Sequence, residues 1–442
     1  MSKPGPSIAD HNVRAFIRFR VFFNARFYYP VFGILFLDYG LTIAQLSLLN
    51  FVWAIAIVGL EVPSGALADQ FGRRPLLIAA ASCMVLEMAL LAFVPLGNPT
   101  LLFAAFLLNR ILSGAAEAAA SGADEALAFD SLAGEQRSRE WPDVLVRLGH
   151  WTTCGFLLTM LLGGAVYDAD LLHRAAAALG FDLSLDPRTT MRFPVYLTLA
   201  NALCALAVTL GMKEPPCENR HAASVAASFG LIRRVFGGLR RSHRVLFLIA
   251  AGLLHDSIIR LIMTLSSNYY RLIQIPTAAF GILGAVLGLS GFFVPRLGRR
   301  LAAQRSIAFN FALLAALTAT GLAGLTLCIP LYGALFVALL GIAMGLLGFF
   351  LSHYLNALAE SAERATLLSF RGLACNLGYG LVGLLFAGLM RHLAFGTAAT
   401  ASEQQVFAAA LDWLPWYFLI SLLPLMVFAR LSGCLGAKAK GA

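Results

Sequence analysis

Apolar runs long enough to cross a ~30 Å hydrocarbon core, which takes about 20 helical residues, recur along the whole chain with short polar breaks between them. Twelve are predicted, near 15–39, 44–67, 75–95, 100–128, 143–167, 191–212, 245–270, 275–297, 303–327, 330–355, 365–390 and 411–431. None shows the strict apolar–polar alternation of a transmembrane barrel, and lipid offers backbone groups no partners, so the runs are predicted to be helices. The longest basic interruption, Lys213 to Arg244, carries Pro215, Pro216, Arg233, Arg234, Arg240 and Arg241, and it divides the runs six and six. The expected organisation is an N-terminal six-helix bundle over 1–212, a linker over 213–244 and a C-terminal six-helix bundle over 245–442. Loops at 168–190 and 391–410 are too small to be soluble domains, although "SEQQVFAAALDW" in the second reads as an amphipathic turn or two.

Composition agrees with this pattern. Of 442 residues, 59% are hydrophobic and 13% charged, against a globular norm of about 45–50% and about 25%. The net charge of +10 does not imply nucleic acid, because the basic residues bracket apolar helices instead of forming one soluble face. Lys and Arg accumulate on the cytoplasmic side of membrane helices, and most of the 33 here fall in the tails and even-numbered connections. Both termini are therefore expected inside a multi-pass protein of the cytoplasmic membrane. The first run follows Arg14, Arg18 and Arg20 and is too long for a signal-peptide core, so it is expected to remain.

The seven cysteines show no CxxC spacing and lie mostly inside predicted helices, which argues against a disulfide framework or a zinc site. No G-x-x-x-x-G-K-[ST] loop suggests nucleotide coupling, no HExxH suggests a metalloenzyme, and the eight histidines are scattered. Neither a metal, a cofactor nor an enzymatic activity is expected, and there is no room for a sensor's signalling domain.

The stretch "GALADQFGRR" at 65–74 repeats as "GFFVPRLGRR" at 291–300, matching Gly65 to Gly291 and Gly72, Arg73 and Arg74 to Gly298, Arg299 and Arg300. Each copy follows the second run of its half, the arrangement expected of a duplicated secondary transporter. With twelve runs as six plus six, the chain resembles the major facilitator superfamily, whose pattern at this place is G-x-L-A-D-x-x-G-R-[KR]. Gly65, Leu67, Ala68, Asp69, Gly72, Arg73 and Arg74 match it.

The resemblance implies a gate in which Asp69 faces the start of helix 11, here "RATLLSF" at 364–370, and Arg73 reaches an acid at the end of helix 4, here Asp130. The second copy has Pro295 in place of Asp69, so the gate is expected to be asymmetric. The family's helix-4 pattern R-x-x-Q-G is met by Arg110, Ser113 and Gly114. The helix-5 pattern of its drug antiporters is met only partly, by Gly155, Gly163 and Gly164, with Thr159 and Met160 in place of Gly-Pro.

Ionisable residues at membrane depth cost about 2.5–3.5 kcal/mol each on insertion scales and face a cavity or a partner. Here they are Arg26, Glu61, Glu87, Arg110, Glu117, Arg147, His150, His255, Asp256, Arg260 and Arg371. By resemblance, helices 1, 4, 7 and 10 line the central cavity, which points to Arg26, Arg110, Glu117, Asp256 and Arg260 as coupling or substrate groups. Arg110, Glu117 and Asp124 are spaced by sevens and are expected to form a stripe on one helix, with Arg110 competing for the charge of Glu117. Asp256 and Arg260, four apart, either serve the cavity or simply pair within their helix.

Glu61 and Arg147 lie near the cytoplasmic helix ends. Glu87, on a peripheral helix, is expected to pair with a neighbouring helix. Asp38, at an outer end, needs no special role. Tyr28 and Tyr29 are candidates for cavity lining, and the glycines 281, 284, 288 and 291 for close helix packing.

These residues point to a monomeric secondary transporter that moves a small organic solute across the bilayer by alternating access. The efflux-like loops favour proton-coupled export. Proton-coupled uptake and lipid handling are the alternatives on the same fold.

Overall fold

The computed structural model describes residues 8–132, 136–182, 185–214, 242–358, 364–396 and 402–433. The side chains of residues 8, 62, 66, 69, 136–139 and 364–366 stand outside that description, as does the linker beyond Glu214 up to residue 241. Among the described residues there is no strand. Eleven helical stretches of the described residues are long and apolar enough to cross a membrane. The remaining predicted span, 15–39, is built as two helices, which corrects the expectation of one continuous run: α1 (Ile8–Asn24), a 3₁₀ turn (Tyr29–Val31) and α2 (Phe32–Tyr39).

The break follows from the sequence. Pro30 has no N–H to continue a helical ladder, and the backbone groups left open across the break must find partners away from water. They find them on α10 (Phe193–Gly211), where Thr198 Oγ1 accepts from Phe27 N at 3.0 Å and Asn201 Nδ2 donates to Ala25 O at 2.8 Å.

The chain continues as α3 (Ile43–Phe71), α4 (Arg73–Phe93) and α5 (Pro99–Ala120). A short α6 (Ala123–Ser131) precedes α7 (Gln136–Tyr167). Two brief helices, α8 (Ala169–Ala178) and α9 (Pro187–Thr190), occupy the predicted loop before α10. Beyond the linker come α11 (His243–Thr264), α12 (Ser266–Leu272), α13 (Ala278–Gln304), α14 (Ile307–Thr326), α15 (Ala334–Leu358) and α16 (Arg364–Gly396). Last are α17 (Glu403–Leu411), in the predicted amphipathic segment, and α18 (Trp413–Leu431). Helix starts are set by capping side chains that accept orphan N–H groups: Thr42 for α3, Asn98 for α5, Ser242 for α11 and Ser306 for α14.

Helices α1 to α10 pack largely on one another, as do α11 to α18, and the main crossings between the two sets are α3 with α16 and α7 with α13. Glycines permit these crossings. A Cβ on Gly281 would lie 2.2 Å from Met160 O, and one on Gly164 would lie 2.7 Å from Gly281 N. This accounts for the expected packing role of glycines 281, 284 and 288.

The crossings open toward one end. On α3, Gly59 and Gly65 meet nothing within 4 Å among the described residues, and neither do Gly291 on α13 and Gly372 on α16. All four lie toward the end that carries Gly72, here called the motif end. At the other, far end the two sets are tied by hydrogen bonds, so the space between them widens from the far end to the motif end.

Candidate functional site

Between the sets lies a cavity of about 530 Å³ lined from both, by Arg26, Arg110 and Glu117 on one side and Arg260, Met344 and Tyr379 on the other. Arg26 projects from the break between α1 and α2, where the interrupted ladder leaves room for its side chain. It is 2% exposed and makes three contacts, through Nη1 to Glu87 Oε1 at 2.6 Å and to Tyr28 Oη at 3.1 Å, and through Nη2 to Glu117 Oε1 at 3.2 Å. Glu87 does pair with a neighbouring helix as expected, and it is fully buried. Glu117 is about one-third exposed and faces the cavity. One guanidinium thus serves two carboxylates, and Glu117 holds the longer, more open contact.

The expected competition of Arg110 for Glu117 is not what the structure contains. Both of Arg110's side-chain bonds to the described residues, from Nε at 2.9 Å and from Nη2 at 2.7 Å, go to Asn109 Oδ1. The guanidinium also lies 5.4 Å from the ring centre of Phe32 and 5.5 Å from that of Phe36. Seven residues at 1.5 Å rise put Arg110 about 10 Å along the axis from Glu117, which is why the nearer Arg26 takes that partner. No ion pair to Arg110 occurs among the described residues.

The expected stripe on one helix is also interrupted. Gly122, in the left-handed region at φ 74°, ends the run, and Asp124 stands on α6, 3.0 Å from Arg20.

Asp256 and Arg260 pair within their helix at 2.7 Å, the simpler of the two readings, yet Arg260 also lines the cavity. It donates to Asn376 Oδ1 at 2.8 Å and lies 5.5 Å from the Tyr379 ring centre. Tyr29 lines the cavity together with Tyr28. His255 is fully packed, bonded to Ala251 O at 2.8 Å and edge-on to Phe418.

At the motif end, Arg73 pairs with Asp130 and donates to Ala126 O at 2.7 Å. The side chain of Asp69, and those at the start of α16 to which the resemblance assigned it, lie outside the described residues. Gly65 has nothing within 4 Å among the described residues. Gly72 has φ 99°, a conformation that favours glycine, and a Cβ there would lie 2.8 Å from Glu214 Oε1. Sequence reasoning missed Glu214. Its carboxylate accepts from Arg73 N at 2.9 Å and from Arg74 N at 2.8 Å, capping α4 at the positive end of its dipole.

Sequence reasoning also missed the far-end closure. Asp38 is no idle helix end, because Arg271 of α12 donates to both of its oxygens at 2.7 Å and the Tyr167 hydroxyl bonds to it as well. Beside it Asp168 Oδ2 accepts from Ala278 N at 2.9 Å, Ser267 Oγ accepts from Gly33 N at 2.9 Å, and Glu403 Oε1 accepts from Ile43 N at 2.5 Å. Each joins one helix set to the other. The only sequence signal was the clustering of polar residues at outer helix ends, which does not reveal partners more than a hundred residues apart.

Twelve spans around a charged cavity, closed at one end and open at the other, define a polytopic membrane transporter. The sequence matches the Major Facilitator Superfamily over residues 15–383, and the chain belongs to that family. Among solved structures it is similar to a bacterial homolog of the human lysosomal transporter Spinster in an inward-facing and occupied conformation (TM-score 0.69, 17% identity, 98% of each chain covered). It is also similar to the nucleoside transporter NupG (0.65, 15%, 96% of this chain and 99% of that one) and to a D-xylose-proton symporter (0.62, 13%, 92% and 96%). At such identities the likeness is one of fold. No curated protein matches the sequence.

Proposed function

We propose that the protein is a proton-coupled secondary transporter of a small organic solute, working by alternating access across a bacterial cytoplasmic membrane with the motif end and both termini inside. The observation that carries this reading is the surplus carboxylate at Arg26. Glu87 is fully buried at 2.6 Å and satisfies the guanidinium, which leaves Glu117, at 3.2 Å and facing the cavity, as the acid that takes up and releases a proton. A carboxylate loses charge most easily where burial opposes the ion and its counter-charge is shared. In this reading Arg73 with Asp130, and Asp69, form the latch that closes the motif end in the opposite state, while Asp38 and Arg271 close the far end in this one.

The efflux-like loop patterns favour exchange of solute for protons and export. Arg110 favours cotransport, and we adopt that reading of the site. Arg26, Arg110 and Arg260 balance Glu87, Glu117 and Asp256 when all are ionised. A proton on Glu117 leaves one positive charge, which a monoanionic solute cancels, and neutral states cross the hydrocarbon at least cost.

The test is flux in proteoliposomes over a panel of radiolabelled metabolites under an imposed pH gradient. Glu117→Gln should abolish gradient-driven accumulation while keeping solute exchange at equal pH. Unchanged accumulation in Glu117→Gln removes Glu117 from coupling. Accumulation only when the inside is the more acidic restores the export reading.

A further inference from the structure

We propose that the cavity takes an organic carboxylate, its anionic head against Arg110 with Arg260 facing it from the other helix set, and its aromatic or apolar body along Trp53 and Tyr379. The proposal rests on the reading of this cavity as the transport site. Arg110 is 4% exposed and carries its charge without an acidic partner among the described residues. A desolvated guanidinium in that condition is costly unless something regularly supplies the missing charge.

Its surroundings prepare it for a planar anion. Asn109 Oδ1 occupies the side edge, Nε and Nη2, and the rings of Phe32 and Phe36 lie beside the guanidinium. The end-on fork remains, with Nη1 making no hydrogen bond to the described residues, and this is the geometry that accepts both oxygens of a carboxylate.

Arg260 is the second cation, lining the same cavity as Arg110 and lying 5.5 Å from the ring centre of Tyr379. Arg260 is held back by Asp256 at 2.7 Å, so its role is to position the head and its charge is only partly available. Trp53 and Tyr379 meet edge to face at 6.2 Å from opposite helix sets, and Met263 and Met344 extend the apolar lining. An organic body is favoured by such walls, and a cationic solute would be repelled by Arg110.

The experiment uses the purified full-length protein in nanodiscs and three isosteres of one body: 4-nitrobenzoate, neutral 4-nitrobenzamide and cationic 4-nitrobenzylammonium. Binding is read as quenching of tryptophan fluorescence, with Trp53→Phe identifying the part that comes from the cavity. The expected result is saturable quenching by the carboxylate, at least about tenfold tighter than by either isostere, the ratio expected of a charge-assisted pair. Arg110→Gln should lose that preference and Arg110→Lys should keep part of it. Asp256→Asn should bind the carboxylate several-fold tighter, because it releases the charge of Arg260. A merely structural role for these residues predicts weakening in both Arg110→Gln and Asp256→Asn, and the opposite signs keep the test decisive even if Arg110→Gln folds poorly.

Equal binding of the three isosteres, lost in Trp53→Phe, leaves the cavity reading standing and overturns the carboxylate. Quenching that survives both Trp53→Phe and Arg110→Gln puts the ligand elsewhere and overturns the cavity reading itself. Failure of 4-nitrobenzoate to bind, or weaker binding in Asp256→Asn, overturns the proposal.

Discussion

At the scale of single residues, buried charges take the nearest partner that geometry offers, and sequence spacing is a poor guide to which one that is. Arg26 and Glu117 stand on different helices and meet because the first span is broken beside α5; Arg110 and Glu117 share a helix and do not meet. The same reasoning applies at the motif end, where Arg73, 26% exposed, has Asp130, 33% exposed, as partner outside the cavity. A pair this exposed contributes at most about 1 kcal/mol to stability. Asp130→Asn is therefore expected to leave the melting temperature nearly unchanged while slowing transport strongly, because the latch proposed above would lose the partner of Arg73. Thermal unfolding and flux measured on one preparation check both halves of that expectation.

At the scale of elements, the helices were legible from hydrophobic length alone, since a run of apolar residues in lipid has almost no alternative to helix. The breaks were not. Pro30 lay in view, but the residues that make its break tolerable, Thr198 and Asn201, are on α10 and show no sign of that role in their own neighbourhood. Gly163 was matched as part of a helix-5 pattern without a reason, and its reason is the same break: a Cβ there would lie 1.8 Å from Phe27 O. Glu214 escaped notice because a capping residue supplied from a distant segment leaves no local signature. The arginines and acids of the cavity were legible as a set from their position in apolar runs, and their pairings were not. Gly163→Ala is expected to destabilise the protein by about 1–3 kcal/mol, the cost of forcing atoms into a filled site, and to do so more than Gly65→Ala, where nothing among the described residues lies within 4 Å. Chemical unfolding of the two variants in matched detergent compares them directly.

At the scale of the whole molecule, the hydrogen bonds between helix sets among the described residues gather at the far end, and under the alternating access proposed above the two ends are alternatives. Arg271 and Asp38 form a bidentate pair that joins the two helix sets at the far end. Removing it with Arg271→Ala should shift the population toward the far-end-open state by about fivefold, the effect of about 1 kcal/mol. Spin labels at Thr100 and Tyr332, both exposed at the far end, should then report a larger share of long distances. An unchanged distribution would assign closure to the hydrogen bonds of Asp168, Ser267 and Glu403 alone. The balance of three arginines against three acids around the cavity carries a consequence for the electrical behaviour of the cycle. Moving one elementary charge through a membrane potential is worth about 2.3 kcal/mol per 100 mV. A cavity that crosses empty with no net charge, and crosses again with one proton and one monoanion, draws none of that energy. Transport should therefore produce no current on a solid-supported membrane and should run at the same rate whether a potassium–valinomycin potential is positive, negative or zero, and in Asp256→Asn, with one charge unmatched, it should become sensitive to voltage.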